Sequence, residues 1–319
     1  MDMDMLMTDA GAPATVGLYA LPTEILIQIL ATFPTRSLLP LAAISRRFYD
    51  LVLSIVYHRL VLAASLRGHS LVLECYHPAK KLEEPSLPCD YLDSNGFNVK
   101  AGQESHVYYG KADAGRLAKL TGLYSRFRPK QPEIERTRAR HPAVDVPGHP
   151  GTSTAFPPLV IRQPSGKGEL VSQTVSLDAD EYFTQLCTKT LLVKAGQPSS
   201  IFLNFVEVTD SVVRLRRDWL AKQAALTAEE EKRKSRKKAD ERILWIDRKK
   251  HVGIRLKVQE STERSQPLLG HQDEEIPVTY TIEFEELLVR TAHLSVMLEQ
   301  ALVRQENPSQ KAIVFGFFH

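Results

Sequence analysis

The strongest side-chain nucleophiles in the chain are three thiols, Cys75, Cys89 and Cys187. None belongs to a CxxC pair or stands beside a histidine at metal-ligand spacing, so the pattern builds neither a zinc site nor a dithiol redox centre. An odd, sparse count gives no disulfide framework and points to a reducing compartment, cytosol or nucleus. Cys187 falls in a stretch of strand character and reads as a buried structural thiol. The ten histidines are scattered; His141 and His149 lie in a proline-rich run and read as solvated. Gly166-Lys167-Gly168 lacks the spacing of a phosphate-cradling loop and reads as a hairpin turn. No GxSxG or HExxH occurs. Active sites also assemble from residues distant in sequence, which leave no such mark. The expectation is no catalytic residue, no metal ligand and no cofactor.

The elements that would position any site come from a chain of 319 residues, enough for one large domain or two with a linker. Apolar residues make up 43% and charged residues 25%, the balance of a globular protein. A net charge of +3 is too small to argue for nucleic acid. The opening MDMDMLMTDAGAPATVG carries Asp2 and Asp4 and no basic segment before an apolar run, so it does not read as a signal peptide. Residues 1–17 read as a mobile tail. No apolar run reaches the length of a membrane span.

Residues 18 to 62 carry the clearest pattern. Pro22 stands where a helix would begin, and its fixed φ suits a first turn. Ile25, Leu26, Ile29, Leu30 and Phe33 then recur as one apolar stripe at helical period. Phe33-Pro34 ends the helix, because a residue before proline is pushed out of the α region. Ser37 is the expected N-cap of a second helix, with Pro40 in its first turn and Leu38, Leu39, Leu41, Ala42 and Ile44 apolar nearly all round. Ser45 caps a third helix carrying Phe48, Leu51, Val52, Ile55 and Val56. Three short helices with this much apolar surface must bury it, either in the rest of the chain or against a partner.

The order Leu21-Pro22-x-Glu24-Ile25-Leu26-x-x-Ile29-Leu30, Phe33-Pro34, Leu38-Leu39-x-Leu41, Ile44-Ser45-Arg46-Arg47-Phe48 and Leu51-Val52 resembles an F-box. Phe48 stands where the family usually has tryptophan, which keeps an aromatic anchor. The resemblance covers residues 18 to 62. It implies binding to a Skp-family adaptor and, through it, to the cullin of an SCF ubiquitin ligase. The contact residues it implies are Leu21, Pro22, Ile25, Leu26, Ile29, Leu38, Leu39 and Leu41. Leu30, Phe33, Ile44, Phe48 and Val52 are implied to be internal core.

Beyond residue 62 the periodicity changes. Residues 63–125 read as a β-containing connecting region, with strands at Ser70–Tyr76 and His106–Tyr109 and a turn at Asn95-Gly96. Residues 126–155 read as a long exposed loop or linker. The run holds five prolines (Pro129, Pro132, Pro142, Pro147 and Pro150) and five arginines (Arg126, Arg128, Arg136, Arg138 and Arg140). No interleaved aromatic platform supports nucleic-acid binding by this run. Residues 156–319 read as a β-rich, substrate-binding domain. Its strand signals are Leu159–Ile161, Leu170–Leu177, Leu191–Val193, Ile201–Val208, Ile243–Ile246, Val252–Val258, Val278–Phe284 and Ala312–Phe318. Thr227-x-x-Glu230 matches a capping box that would open a solvated helix, with Glu229–Arg233 and Glu230–Lys234 as i,i+4 pairs. Lys232, Arg233, Lys234, Arg236, Lys237 and Lys238 form a candidate nuclear-import signal. A second helix is expected within 287–304.

The expected fold is therefore α+β: a small three-helix N-terminal module, then a mainly antiparallel, sandwich-like domain with one or two helices. The expected function is a non-catalytic adaptor in cytoplasm or nucleus, recruiting an unknown protein target for ubiquitination, with neither nucleic acid nor membrane as partner. Two alternatives stand beside it. One is a lectin-like sandwich binding glycans, which Trp219 and Trp245, in elements expected to be partly buried, do not favour. The other is a Skp-bound scaffold outside any ligase.

Overall fold

A computed structural model describes residues 17–66, 68–81, 83–94, 115–132, 170–194, 205–233, 239–261 and 277–306. The expected strands at His106–Tyr109, Leu159–Ile161 and Ala312–Phe318 lie outside these residues. So do the turns at Asn95-Gly96 and Gly166–Gly168, and His141 and His149.

The N-terminal module folds as α1 (Thr23–Leu30), α2 (Thr35–Leu38) and α3 (Arg46–Ala64). Pro22 precedes α1 in extended conformation. Ser45 caps α3 as expected, its Oγ accepting from the Phe48 N–H at 3.3 Å. The expected cap at Ser37 is not used. Pro34, itself extended, opens α2 at Thr35, and Ser37 lies inside the single turn. Helix α3 buries a broad apolar face, from Phe48 to Ala64, and leaves Arg46, Asp50 and His58 exposed.

Nine strands follow among the described residues. They are β1 (His69–Tyr76), β2 (Leu87–Ser94), β3 (Tyr124–Pro129), β4 (Val171–Leu177), β5 (Phe183–Lys194), β6 (Phe205–Arg216), β7 (Ile243–Trp245), β8 (Val252–Glu260) and β9 (Val278–Arg290). Every described pairing is antiparallel, in the order β6–β5–β1–β2–β3–β9–β8–β7, with β4 also on β9. The α+β class and antiparallel character are as the sequence predicts, built on one sheet curled as a half-barrel. β9 shares one edge between two neighbours, β3 at its end (Phe127↔Leu287) and β4 at its start (Val171↔Phe284). The buried Gln173 of β4 then donates from Nε2 to the Cys75 carbonyl of β1 at 2.5 Å, bridging the curl. One core collects Leu71 and Leu73, Phe127, Leu192, Ile254 and Leu256, and Phe284 and Leu287.

Helix α4 (Arg116–Thr121) precedes β3, α5 (Arg217–Arg233) follows β6, and α6 (Thr291–Glu306) follows β9. α5 corrects the capping-box expectation. Thr227 lies inside the helix and is buried, with its hydroxyl unpartnered. The true start lies ten residues upstream, where Leu220, Gln223 and Thr227 recur at helical spacing on the buried face. Glu230 reaches the buried Arg242 at 3.4 Å, and Arg242 also meets Glu285 of β9 at 3.4 Å.

β3 corrects the start of the linker expectation, since Arg126, Arg128 and Pro129 lie in a paired strand rather than a loop, whereas residues 133–155 lie outside the described residues. Ser125, Phe127 and Pro129 face inward while Arg126 and Arg128 do not, so a period of two runs beneath the proline- and arginine-rich composition. Arg126 is neutralised by a bidentate pair with Asp93 and by Glu286 at 3.7 Å. Cys75 and Cys89 are buried, and burial raises both thiols far above their ordinary range. Cys187, expected to be buried, is only half-buried, because it lies on the outward face of β5.

Two features of the β7–β8 hairpin carry predictions. A Cβ on Gly253 would stand 2.8 Å from Ile243 Cγ2 and 2.8 Å from Trp245 Cε3. Gly253→Ala should therefore cost about 1–3 kcal/mol through overpacking, read as a lower urea midpoint at unchanged slope. His251 stacks on His293 with centroids 4.3 Å apart and planes 8° from parallel. Burial lowers the His251 pKa below its ordinary value; His293, Arg290 and Lys249 lower it further and Asp247 opposes. The folded state thus binds fewer protons than the unfolded chain. Stability is present above the unfolded value near 6.5 and is lost as pH falls below it through the folded value. His251→Gln should flatten the fall in melting temperature between pH 7 and pH 5.

Candidate functional site

The chain's most distinctive surface is the outer side of its first helices. Twelve large apolar side chains are exposed among the described residues, and seven of them fall within residues 18–44: Leu18, Tyr19, Ile25, Ile29, Phe33, Leu39 and Ile44. Apolar groups gathered in this way mark an interaction surface. Ile25 and Ile29, each 41% exposed, stand one turn apart on the same face of α1.

The start of this surface is pinned from below. Arg47 donates through Nη1 to the Tyr19 carbonyl at 2.5 Å and through Nη2 to the Leu21 carbonyl at 2.6 Å. The Tyr19 ring meets Phe48 edge-on at 5.7 Å. Phe48, at the expected aromatic anchor, is buried in the helical core.

The structure divides the eight sequence-predicted contact residues. Pro22, Ile25, Ile29 and Leu39 are exposed, and Leu21 and Leu41 are half-buried. Leu26 and Leu38, expected at the contact, are 1% and 0% exposed and belong to the helical core. The reason is angular: Leu26 and Leu30 face α3, and Ile25 and Ile29 lie about 100° round the axis. Leu38 ends the one-turn α2, and the following 3-10 segment Leu39–Ala43 swings the next leucine outward.

Phe33 and Ile44, expected in the core, are 45% and 57% exposed. Each sits in a turn between helices, where helical period no longer dictates the face. Leu30, Phe48 and Val52 are buried as expected.

The opposite side of the module is not free. Its core takes in Leu120 of α4, and Leu117 and Ala292 pack against it. Glu299 of α6 accepts from the Thr35 N–H at 3.1 Å and from the Thr35 hydroxyl, and so caps α2 from a distant part of the chain. Arg59 pairs with Glu299 at 2.9 Å and donates to Thr35 Oγ1 at 2.8 Å, to Ala31 O at 3.0 Å and to Phe33 O at 2.6 Å. One arginine thus closes the end of α1 while one glutamate opens α2. No sequence period announces a pair 240 positions apart.

Among the described residues no three His, Cys, Asp or Glu side chains gather as a metal site, and no helix is long and apolar enough to cross a membrane. Trp219 packs against the sheet core, and Trp245 lies against Tyr124 at 5.5 Å. Of the basic run at 232–238, Lys232 and Arg233 fall in the last turn of α5, and Lys234, Arg236, Lys237 and Lys238 lie outside the described residues.

Residues 18–63 match a protein-family model described as F-box-like. The match coincides with the three helices and the exposed surface just described. The chain carries an F-box-like domain at its N-terminus, consistent with an F-box protein. Such domains are in general SCF-type adaptors and are typically non-catalytic. Comparison with curated proteins and with solved structures returned no match.

Proposed function

We propose that this chain is a substrate-recruiting adaptor of an SCF ubiquitin ligase. Its F-box-like domain docks a Skp-family protein through Leu21, Pro22, Ile25, Ile29, Leu39 and Leu41, and through it the cullin. The β-rich remainder holds a protein target. Its contribution is proximity, a raised effective concentration of target beside the ubiquitin-loading machinery, with no bond chemistry of its own. The observation that carries this reading is the exposed apolar surface of residues 18–44, inside the F-box-like match. Seven such side chains suffice for the desolvated centre of a standard-sized interface. The test is capture of the purified full chain by a purified Skp-family protein, alone and with cullin; failure of capture at micromolar concentrations would overturn it. The run 232–238 is proposed as a nuclear-import signal, checked by the distribution of the full chain with Lys234, Arg236, Lys237 and Lys238 changed to Ala.

A further inference from the structure

We propose that the free edge of β6, over residues 210–216, binds an extended acidic segment of a partner protein as an added strand. On the adaptor reading above, which this inference deepens, that partner is the recruited target.

β6 ends the sheet, paired with β5 along one edge and with no strand along the other among the described residues. Such an edge presents unmet N–H and C=O groups and normally must be covered or disrupted. Here only its first part is covered. Arg304 donates to the Phe205 carbonyl at 3.3 Å, and His293 Nε2 stands 3.0 Å from the Val208 carbonyl. Beyond that point no cover is present among the described residues. The Arg217 N–H donates to the Tyr182 carbonyl at 2.9 Å, which sets the phase of the ladder. With antiparallel pairs alternating, the backbone groups of Val212, Arg214 and Arg216 face away from β5. This stretch contains no proline, and its only bulge in the pairing with β5 lies upstream, at Thr190/Leu191.

The side chains beside this edge fit a particular strand. Tyr182 is 83% exposed, Val212 56% and Phe183 40%, an apolar set on an otherwise polar face. Arg214 lies over the Phe183 ring at 5.0 Å. Neither Arg214 nor Arg216 has an ion-pair partner among the described residues. Together they line an open cleft of about 900 Å³ at the end of the strand. Asp180 and Asp218 also line it, as does Arg217, which donates to the Ala179 carbonyl at 2.7 Å.

Arginines on an edge can instead serve to keep other strands away. Gatekeeping works by projecting charge into the path of an incoming strand. Arg214 instead sits over the Phe183 ring, on the exposed face of β6, where an alternate residue of an added strand would meet it. A guanidinium held by a cation–π contact still has N–H groups to offer a carboxylate. Added strands bind in this manner, with backbone hydrogen bonds giving affinity and alternate side chains giving selectivity.

The test uses the full chain and an array of twelve-residue peptides in which valine or leucine alternates with glutamate, lysine or serine. Retention of the glutamate series, weakened at least tenfold in Arg214→Glu/Arg216→Glu, is expected. Val212→Pro removes one outward N–H without touching the pairing to β5, and should weaken the same peptides tenfold. N-methylation of alternate peptide amides should do likewise. Equal retention of the lysine series, no retention of any series, or tighter binding of a single-stranded oligothymidylate than of the glutamate peptides would overturn the proposal. So would self-association of the chain that Val212→Pro abolishes. Skp capture is measured on each variant alongside. Its loss across wild type and variants would sink the adaptor reading, whereas its retention with failed peptide binding sinks only the edge.

Discussion

The double variant Ile25→Asp/Ile29→Asp is expected to abolish capture by a Skp-family protein while leaving the fold in place. Both side chains are 41% exposed on one face of α1, and neither belongs to the helical core. Two carboxylates there cost the folded chain almost nothing but would place two uncompensated charges in a desolvated interface. Loss of two central anchors removes about 4 kcal/mol or more, roughly a thousandfold in affinity. Leu26→Asp should behave in the opposite order. Leu26 is 1% exposed and would carry its charge into the core, a cost of several kcal/mol that unfolds the module. Thermal melts and capture assays on the same preparations separate the two. A cooperative wild-type melt with lost capture is expected for the first variant, and a lost or strongly lowered melt for the second. If Ile25→Asp/Ile29→Asp binds as well as wild type, the α1 face is not the docking surface.

That contrast marks how far the sequence alone reached. The ordered leucine, proline, serine and aromatic positions located the module and its three helices, because each is a local requirement of a cap, a break or an apolar stripe. Which leucines face outward was less legible. A stripe such as Ile25, Leu26, Ile29, Leu30 is wide enough to serve core and interface at once, and only the placement of α3 decides that Leu26 goes in and Ile25 out. Phe33 and Ile44 failed for a related reason, since turns carry no period. In the sheet, β4, β8 and the first half of β9 were legible from alternation. β3 was not, because Pro129 and the arginines dominated its composition while Phe127 and Ser125 kept the pleat. α5 was misplaced because Thr227-x-x-Glu230 satisfies a cap motif that the buried face from Leu220 onward overrides. The β6 edge left no sequence mark, since being an edge is a property of the sheet order.

Arg59→Ala should lower stability by about 2–4 kcal/mol. Arg59 joins Ala31 O, Phe33 O, Thr35 and Glu299 through one positive charge, and it is mostly shielded, as is its partner. Removing it frees two turn carbonyls and leaves Glu299 with a charge held only by the N-terminus of α2. Hydrogen bonds to charged groups contribute about 1.5–3 kcal/mol each, reduced here by the remaining access of water. Glu299→Gln should cost less, about 1 kcal/mol, because an amide oxygen still accepts from the Thr35 N–H. The double variant Arg59→Ala/Glu299→Gln should cost less than the sum of the two, since each change removes the same ion pair. Denaturant midpoints for the three chains check this; additive costs would show that the pair is not coupled. The same contact governs how the adaptor reading must be tested. A chain lacking residues 18–62 would strip Glu299 of its partners and uncover Leu120 and Ala292, which pack with the helical core. Such a deletion changes the fold of what remains, so its lost partners would report unfolding as readily as a missing docking surface. Exposed-face substitutions on α1, and edge substitutions on β6, perturb the two ends of the adaptor separately because neither set touches the Arg59–Glu299 joint between them.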